Sequence, residues 1–236
     1  MRLALLLCLA ASPAPAQDLV RQPDLAPGVA ATPRLPEATG AAARINARLA
    51  DLDAEALASW RDLAVCDPSP GNTFLRGVDV TLNAPGLVSL LVQEEGYCAP
   101  AAHPWTTAAP LVFDRRSGAE VDPLSWLPPF LSPGPEPEPW TEQRALARFG
   151  PLTSLYIHTA LRSRDPGIDL ACLSLLRRQP HGFDLWPDAS APGLVLQPAG
   201  LAHVDTPCET PVTIPLATLT SLGVSPALLS ALAAGD

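Results

Sequence analysis

Residues 78–97 read VDVTLNAPGLVSLLVQEEGY, and their patterning decides the fold class. From Val78 to Asn83 apolar and polar residues alternate strictly, the period of a strand with one buried face. Ala84-Pro85-Gly86 is a turn, because Pro presets one backbone angle and Gly admits a positive one. Gly86 to Tyr97 then reads as a second strand, more apolar and therefore interior. Pro110-Leu111-Val112-Phe113 is a third, ending in the turn cluster Asp114-Arg115-Arg116-Ser117-Gly118 and followed by Ala119-Glu120-Val121. Three such segments in succession predict an antiparallel meander.

Helical periods flank it. Upstream, Ile45, Leu49, Leu52, Leu57, Trp60 and Leu63 recur at helical spacing, with Arg44, Arg48, Asp51, Glu55 and Arg61 between them. Thr39-Gly40 can start that helix, and Cys66-Asp67-Pro68 stops it, because Pro disfavours helical geometry in the residue before it. Downstream, 141–149, 152–164 and 169–178 read as helices, and 183–186, 193–196 and 212–215 as short strands. Ser225-Pro226 opens a final helix, Ser as cap and Pro at the first helical position. Residues 123–139 hold seven prolines and read as a surface loop. The expected fold is α+β, an antiparallel sheet (meander) with helices packed on it, in a single domain over 41–236.

The chain has 236 residues, 47% of them hydrophobic and 17% charged, enough to bury a core. Its 29 prolines argue against a long helical bundle. The net charge is −9, and all 15 basic residues are Arg. Such an acidic chain is a poor nucleic-acid binder. The absence of Lys excludes Schiff-base chemistry on a lysine and a Walker-type nucleotide hydrolase.

Met1-Arg2, the apolar run Leu3–Ala11 and the small residues ending in Ala14-Pro15-Ala16 predict a signal peptide over 1–16, cleaved after Ala16. The apolar run is about half the length of a membrane span, and no other segment reaches one. Residues 17–40, rich in Pro and Ala, read as a flexible leader. Beyond Cys8 there remain Cys66, Cys98, Cys172 and Cys208, an even number that suggests disulfides in an exported chain. Three pairings are possible; joining sequence neighbours favours Cys66–Cys98 and Cys172–Cys208. No Cys-x-x-Cys pair supports zinc.

Chemistry-bearing residues are scattered. No two of His103, His158, His181 and His203 lie close enough for a short metal motif, and no metal or other cofactor is expected. Ser154 and His158 are four apart, but there is no Gly-x-Ser-x-Gly elbow and no orienting carboxylate. Glu94 and Glu95 are adjacent, so on a strand they face opposite ways. Glu136 and Glu138 fall in the proline-rich segment, where solvation is the plainer reading. The candidate ligand-binding set is Tyr97, His103 and Trp105, in a loop between two strands, with Trp126 and Trp140 as further aromatic surface or as buried anchors. No catalytic residue is assigned.

The middle of the chain carries Tyr97…His103-Pro104, then Phe113-Asp114…Ser117-Gly118, then Asp122-Pro123-Leu124. In that order these resemble the exported domain of unknown function found in the lysozyme-sensing anti-sigma-V factor and beside peptidoglycan deacetylase catalytic domains. Gly193-Leu194-Val195-Leu196-Gln197-Pro198 and Val212-Thr213-Ile214-Pro215 are similar to that family's two C-terminal strands. The likeness covers residues 70–222. The chain departs from the family pattern at Ala99-Pro100, where two glycines are usual, in a Tyr-to-His spacing one longer, and at Ala199, where a Tyr is usual. The resemblance implies an α+β domain that binds rather than catalyses.

The expectation is therefore a periplasmic or secreted, non-catalytic binding or interaction domain. Its partner would be an envelope protein or a cell-wall glycan. The alternative is a cell-wall hydrolase or metal-dependent envelope enzyme, resting on the four His and the dispersed carboxylates.

Overall fold

The computed structural model describes residues 18–37, 39–65, 73–98, 104–134, 141–163 and 167–235. Strands β1 (Thr73–Asn83), β2 (Leu87–Tyr97) and β3 (Trp105–Asp114) form an antiparallel meander in that order, with Val78 opposite Val92 and Val88 opposite Phe113. β1 and β3 are longer than their alternating stretches. Pairing with the apolar β2 carries Thr106, Thr107, Ala108 and Ala109 into the sheet, although their own pattern gives no strand period. A register shift between Val80 and Leu82 turns Leu82 to the opposite face from Val80.

Helix α1 (Gly40–Val65) covers one face of this sheet. Ile45 and Leu49, four apart and buried, pack with Val88, Leu90, Leu111 and Phe113. The other face meets a second sheet, which the sequence reading had not separated from the first. Its strands β4 (Gly182–Asp188), β5 (Gly193–Ala199) and β6 (Val212–Pro215) are again antiparallel in chain order. Trp186 and Val195 cluster with Leu91 between the sheets, and Ala189 N–H donates to Thr81 O. The far face of the second sheet is covered by α2 (Glu142–Ser163), α3 (Leu170–Leu176), α4 (Leu216–Leu222) and α5 (Pro226–Ala234). Leu152, Tyr156, Leu176, Leu194, Ile214 and Leu219 form the centre of that core. The α+β class stands, as two three-stranded meanders rather than one sheet.

Three further differences have local causes. Residues 142–163 form one helix, not two, although Pro151 lies inside it. The lost N–H bond costs about 3 kcal/mol, less than burial of Leu152, Tyr156 and Ile157 returns at about 1.5–3 kcal/mol each. Residues 18–37, read from composition as a leader, lie across the molecule with Val29, Thr32 and Leu35 buried. Within 123–134, a 3-10 turn at Pro123–Trp126 buries Trp126, Leu127 and Leu131, so this half of the proline-rich segment is part of the core. The Cys172–Cys208 disulfide joins α3 to the 3-10 turn His203–Cys208, 36 residues apart. Cys66, and with it one end of the expected Cys66–Cys98 bridge, lies outside the described residues. So do residues 1–16, His103, Trp140, Glu136 and Glu138. No helix among the described residues is long and apolar enough to cross a membrane.

Candidate functional site

Two of the five expected site residues meet at one end of the first sheet. Tyr97 ends β2 and Trp105 begins β3, opposite Gly96. The Trp105 indole lies over Gly96 so closely that a Cβ there would come within 2.4 Å of the ring. Phe74 on β1 supports the indole, ring centres 5.9 Å apart and tilted by 48°. Held this way, Trp105 still leaves 39% of its surface exposed. It is a strand residue rather than the loop residue expected. Trp126, by contrast, is 7% exposed, and its carbonyl accepts from Ser225 N–H, which makes it an anchor of the core.

The histidines do not converge. His181 is buried: its Nδ1 faces Gln179 O at 2.9 Å and its Nε2 faces Thr153 Oγ1 at 3.1 Å. Burial holds its imidazole below the usual range. Ser154 and His158 are exposed on α2, and the Ser154 hydroxyl donates to Gly150 O instead. Among the described residues no three His, Cys, Asp or Glu side chains are grouped to hold a metal ion.

What the structure gathers around β3 is a set of hollows. One of about 660 Å³ lies between β3 and β4. Pro110, Val121, Leu124 and Leu185 give it an apolar lining, and Glu120, Asp122 and Asp184 add three carboxylates. A second of about 390 Å³ touches Glu95, Thr106, Gln197 and Glu209. A third of about 200 Å³ opens on the opposite face, against α1, among Leu52, Ser59, Arg76, Glu94 and Thr107. Ala108 lines both of the first two, and Thr107, Ala109 and Leu111 line the third. A fourth hollow, of about 450 Å³, lies away from β3, between β1 and the end of β4.

Asp184 points to the same sheet face as Trp186, away from Leu185 and the core. Its half-buried carboxyl is pushed up to about 6, first by loss of water and then by the Glu209 charge. Glu209 itself accepts from Leu201 N–H at 3.0 Å. A charged residue inside Phe183-Asp184-Leu185-Trp186 was the sequence signal for this group, and it was missed.

The other missed residues lie under the N-terminal segment. Asp53 is buried on α1, four residues after Leu49 on the apolar stripe. It accepts from Thr32 N–H and Thr32 Oγ1, both at 3.0 Å, and pairs with Arg34 at 2.6 Å and Arg76 at 2.8 Å. Burial opposes its charge, but the bonds from Arg76, Thr32 and Arg34 outweigh that and hold its carboxyl below the usual range. Asn46, seven residues earlier, clasps both backbone groups of Leu35 at 2.9 Å. Polar residues on the helix's buried stripe were the available sign that a second segment lies there. The Arg76 side chain, 1% exposed, also pairs through Nε with Glu94 at 3.3 Å.

No family model matches the chain, and no curated protein matches it. Among solved structures it is similar to a DUF3298 family protein from Pseudomonas aeruginosa PAO1. The identity is 17% and the TM-score 0.42, over 73% of this chain and 71% of that one.

Proposed function

We propose that this protein is an exported, non-catalytic binding domain of the cell envelope, engaging an envelope protein or a cell-wall glycan along the end of the first sheet that Tyr97 and Trp105 mark. The observation that carries this reading is Trp105, braced by Gly96 and Phe74 yet more than a third exposed beside the hollows around β3. A large aromatic ring held rigid at the surface supplies contact area at little cost in conformational entropy. Export rests on the signal-like residues 1–16 and on the Cys172–Cys208 disulfide, a bond at home in an oxidising compartment. Cys66–Cys98 is proposed as the second bridge, which peptide mapping without reductant checks. The test of binding uses the mature, oxidised protein as bait in a periplasmic and envelope extract. A partner retained by wild type and lost by Trp105→Ala, with little change in urea midpoint, is the expected result. Retention of the same partner by both proteins would sink the assignment of this surface.

A second reading, a cell-wall hydrolase, has one observation in its favour. The Asp184 carboxyl, raised to about 6 beside Glu209, has the near-neutral poise of a general acid. It requires release of soluble fragments from purified peptidoglycan, abolished by Asp184→Asn. No release by the wild-type protein would dispose of it.

A further inference from the structure

The two edges of the first sheet are treated differently. On β1, residues 28–30 run alongside: Arg76 N–H donates to Gly28 O, and Ala30 N–H to Arg76 O. That edge is covered at Arg76, and Ala189 N–H reaches it again at Thr81 O. On β3, the returning segment after Gly118 covers only the far end, where Asp114 N–H donates to Ala119 O and Val121 N–H to Val112 O. These two bonds show which residues of β3 turn their backbone outward. Counting back in steps of two from Asp114 and Val112, the outward groups are those of Pro110, Ala108 and Thr106. Among the described residues nothing pairs with the N–H groups of Thr106 and Ala108 on that side. The stretch Thr106-Thr107-Ala108-Ala109 has no charge and no bulky side chain to block approach.

The hollows are placed as such an edge would need them. A strand added beside β3 sends alternate side chains to opposite faces. On one face they meet the hollow between β3 and β4, and on the other the hollow against α1. The ionisable groups lining the three hollows are acidic on both faces: Glu120, Asp122 and Asp184 on one, Glu55 and Glu94 on the other, with Glu95 and Glu209 at the β2 end. Arg76 is the exception, already paired with Asp53 and Glu94, and Arg48 lies within 3.8 Å of Glu55 and 3.4 Å of Glu120. The remaining acidic excess agrees with the chain's net charge of −9.

We infer that β3 is a docking edge for an extended, positively charged segment of a partner protein, which adds to the first sheet as a fourth strand through Thr106 and Ala108. The inference rests on the binding-domain reading and gives it a partner chemistry. Main-chain pairing would supply affinity, while the acidic hollows select Arg or Lys at alternate positions.

The probe is an N-acetylated octapeptide alternating Arg and Val, compared with its Glu/Val counterpart and with an Arg/Val peptide N-methylated at every residue, so that neither of its edges can donate. Binding is followed by fluorescence anisotropy and by the amide shifts of Thr106 and Ala108. The expected result is binding of the Arg/Val peptide alone, weakened by added salt. Ala108→Pro, which removes an outward N–H and leaves the β2 pairing untouched, should weaken it about tenfold, in line with the loss of one main-chain hydrogen bond. N-methylation tests the same bond from the peptide side without altering the protein. Equal binding of the Glu/Val or N-methylated peptide overturns the inference, as does unchanged affinity in Ala108→Pro. A dimer in sedimentation that Ala108→Pro dissociates also overturns it, by giving the edge to a second copy of the chain. If the Arg/Val peptide fails while a Trp105-dependent partner is still captured, strand addition falls and the binding domain stands. If both fail, both readings fall.

Discussion

Asp53 shows how much one polar side chain can organise. It joins α1 to two arginines from different segments and to the backbone of Thr32, all within hydrogen-bonding distance. Replacing it with Asn leaves the buried Arg76 guanidinium short of a counter-charge, and loss of one partner from a buried pair costs about 3–5 kcal/mol. Urea unfolding of Asp53→Asn at pH 7 is expected to show a loss in that range. The pH dependence has a definite sign. Because the folded-state value lies below the ordinary 3.8, this stability is present above 3.8 and disappears as pH falls through the lower folded-state value. The gap between wild type and Asp53→Asn therefore narrows in acid. A gap that persists unchanged at low pH would show that the charge is not what Asp53 contributes. Asp184 has the opposite sign: its carboxyl is raised, so its contribution to the fold is complete below 3.8 and is lost as pH rises through about 6.

At the scale of elements, the segment 18–37 behaves as a strap. Val20 and Arg34 pair with each other, Val29 bridges to Arg76 in parallel, and Leu35 is held by Asn46. Its proline and alanine content suggested a linker because few large apolar residues appear in it. Only a few of them are needed, however, since Val29 and Leu35 enter a site already lined by α1 and the sheet. A protein beginning at Ala41 would lose both burials, on the order of 3–6 kcal/mol, and expose the β1 edge. Its urea midpoint is expected to fall accordingly, and an unchanged midpoint would make the strap a passenger. The elements that were legible are those whose period is set by one face. Helix α1 starts as expected at Gly40, its expected stop at Cys66-Asp67-Pro68 lies outside the described residues, and the turn at 84–86 separates β1 from β2. The sequence reads as two helices, 141–149 and 152–164, but they are one because the local penalty of Pro151 is outweighed by the burial beneath it.

At the scale of the molecule, the two sheets, their order and the hollows between them depend on contacts far apart in sequence. Leu91 meets Trp186 and Val195 across the sheet interface, a pairing that no local pattern encodes. The candidate site is legible in the same measure. Trp105 is legible as an aromatic in a loop between two strands, but its place on β3 and its support by Gly96 and Phe74 come from strand register. The open edge of β3 is likewise a property of the sheet, because which strand lies outermost depends on what covers the other one.

By itself the sequence determined the α+β class, the start of α1, the turn between the first two strands and the acidic balance, since each follows from local period, turn chemistry or charge. Tertiary structure decided the division into two sheets, the docking of the strap, the burial of Trp126 and the gathering of carboxylates around β3. These depend on which buried faces find each other, and that selection is made by packing and desolvation over the whole chain rather than by any window of it.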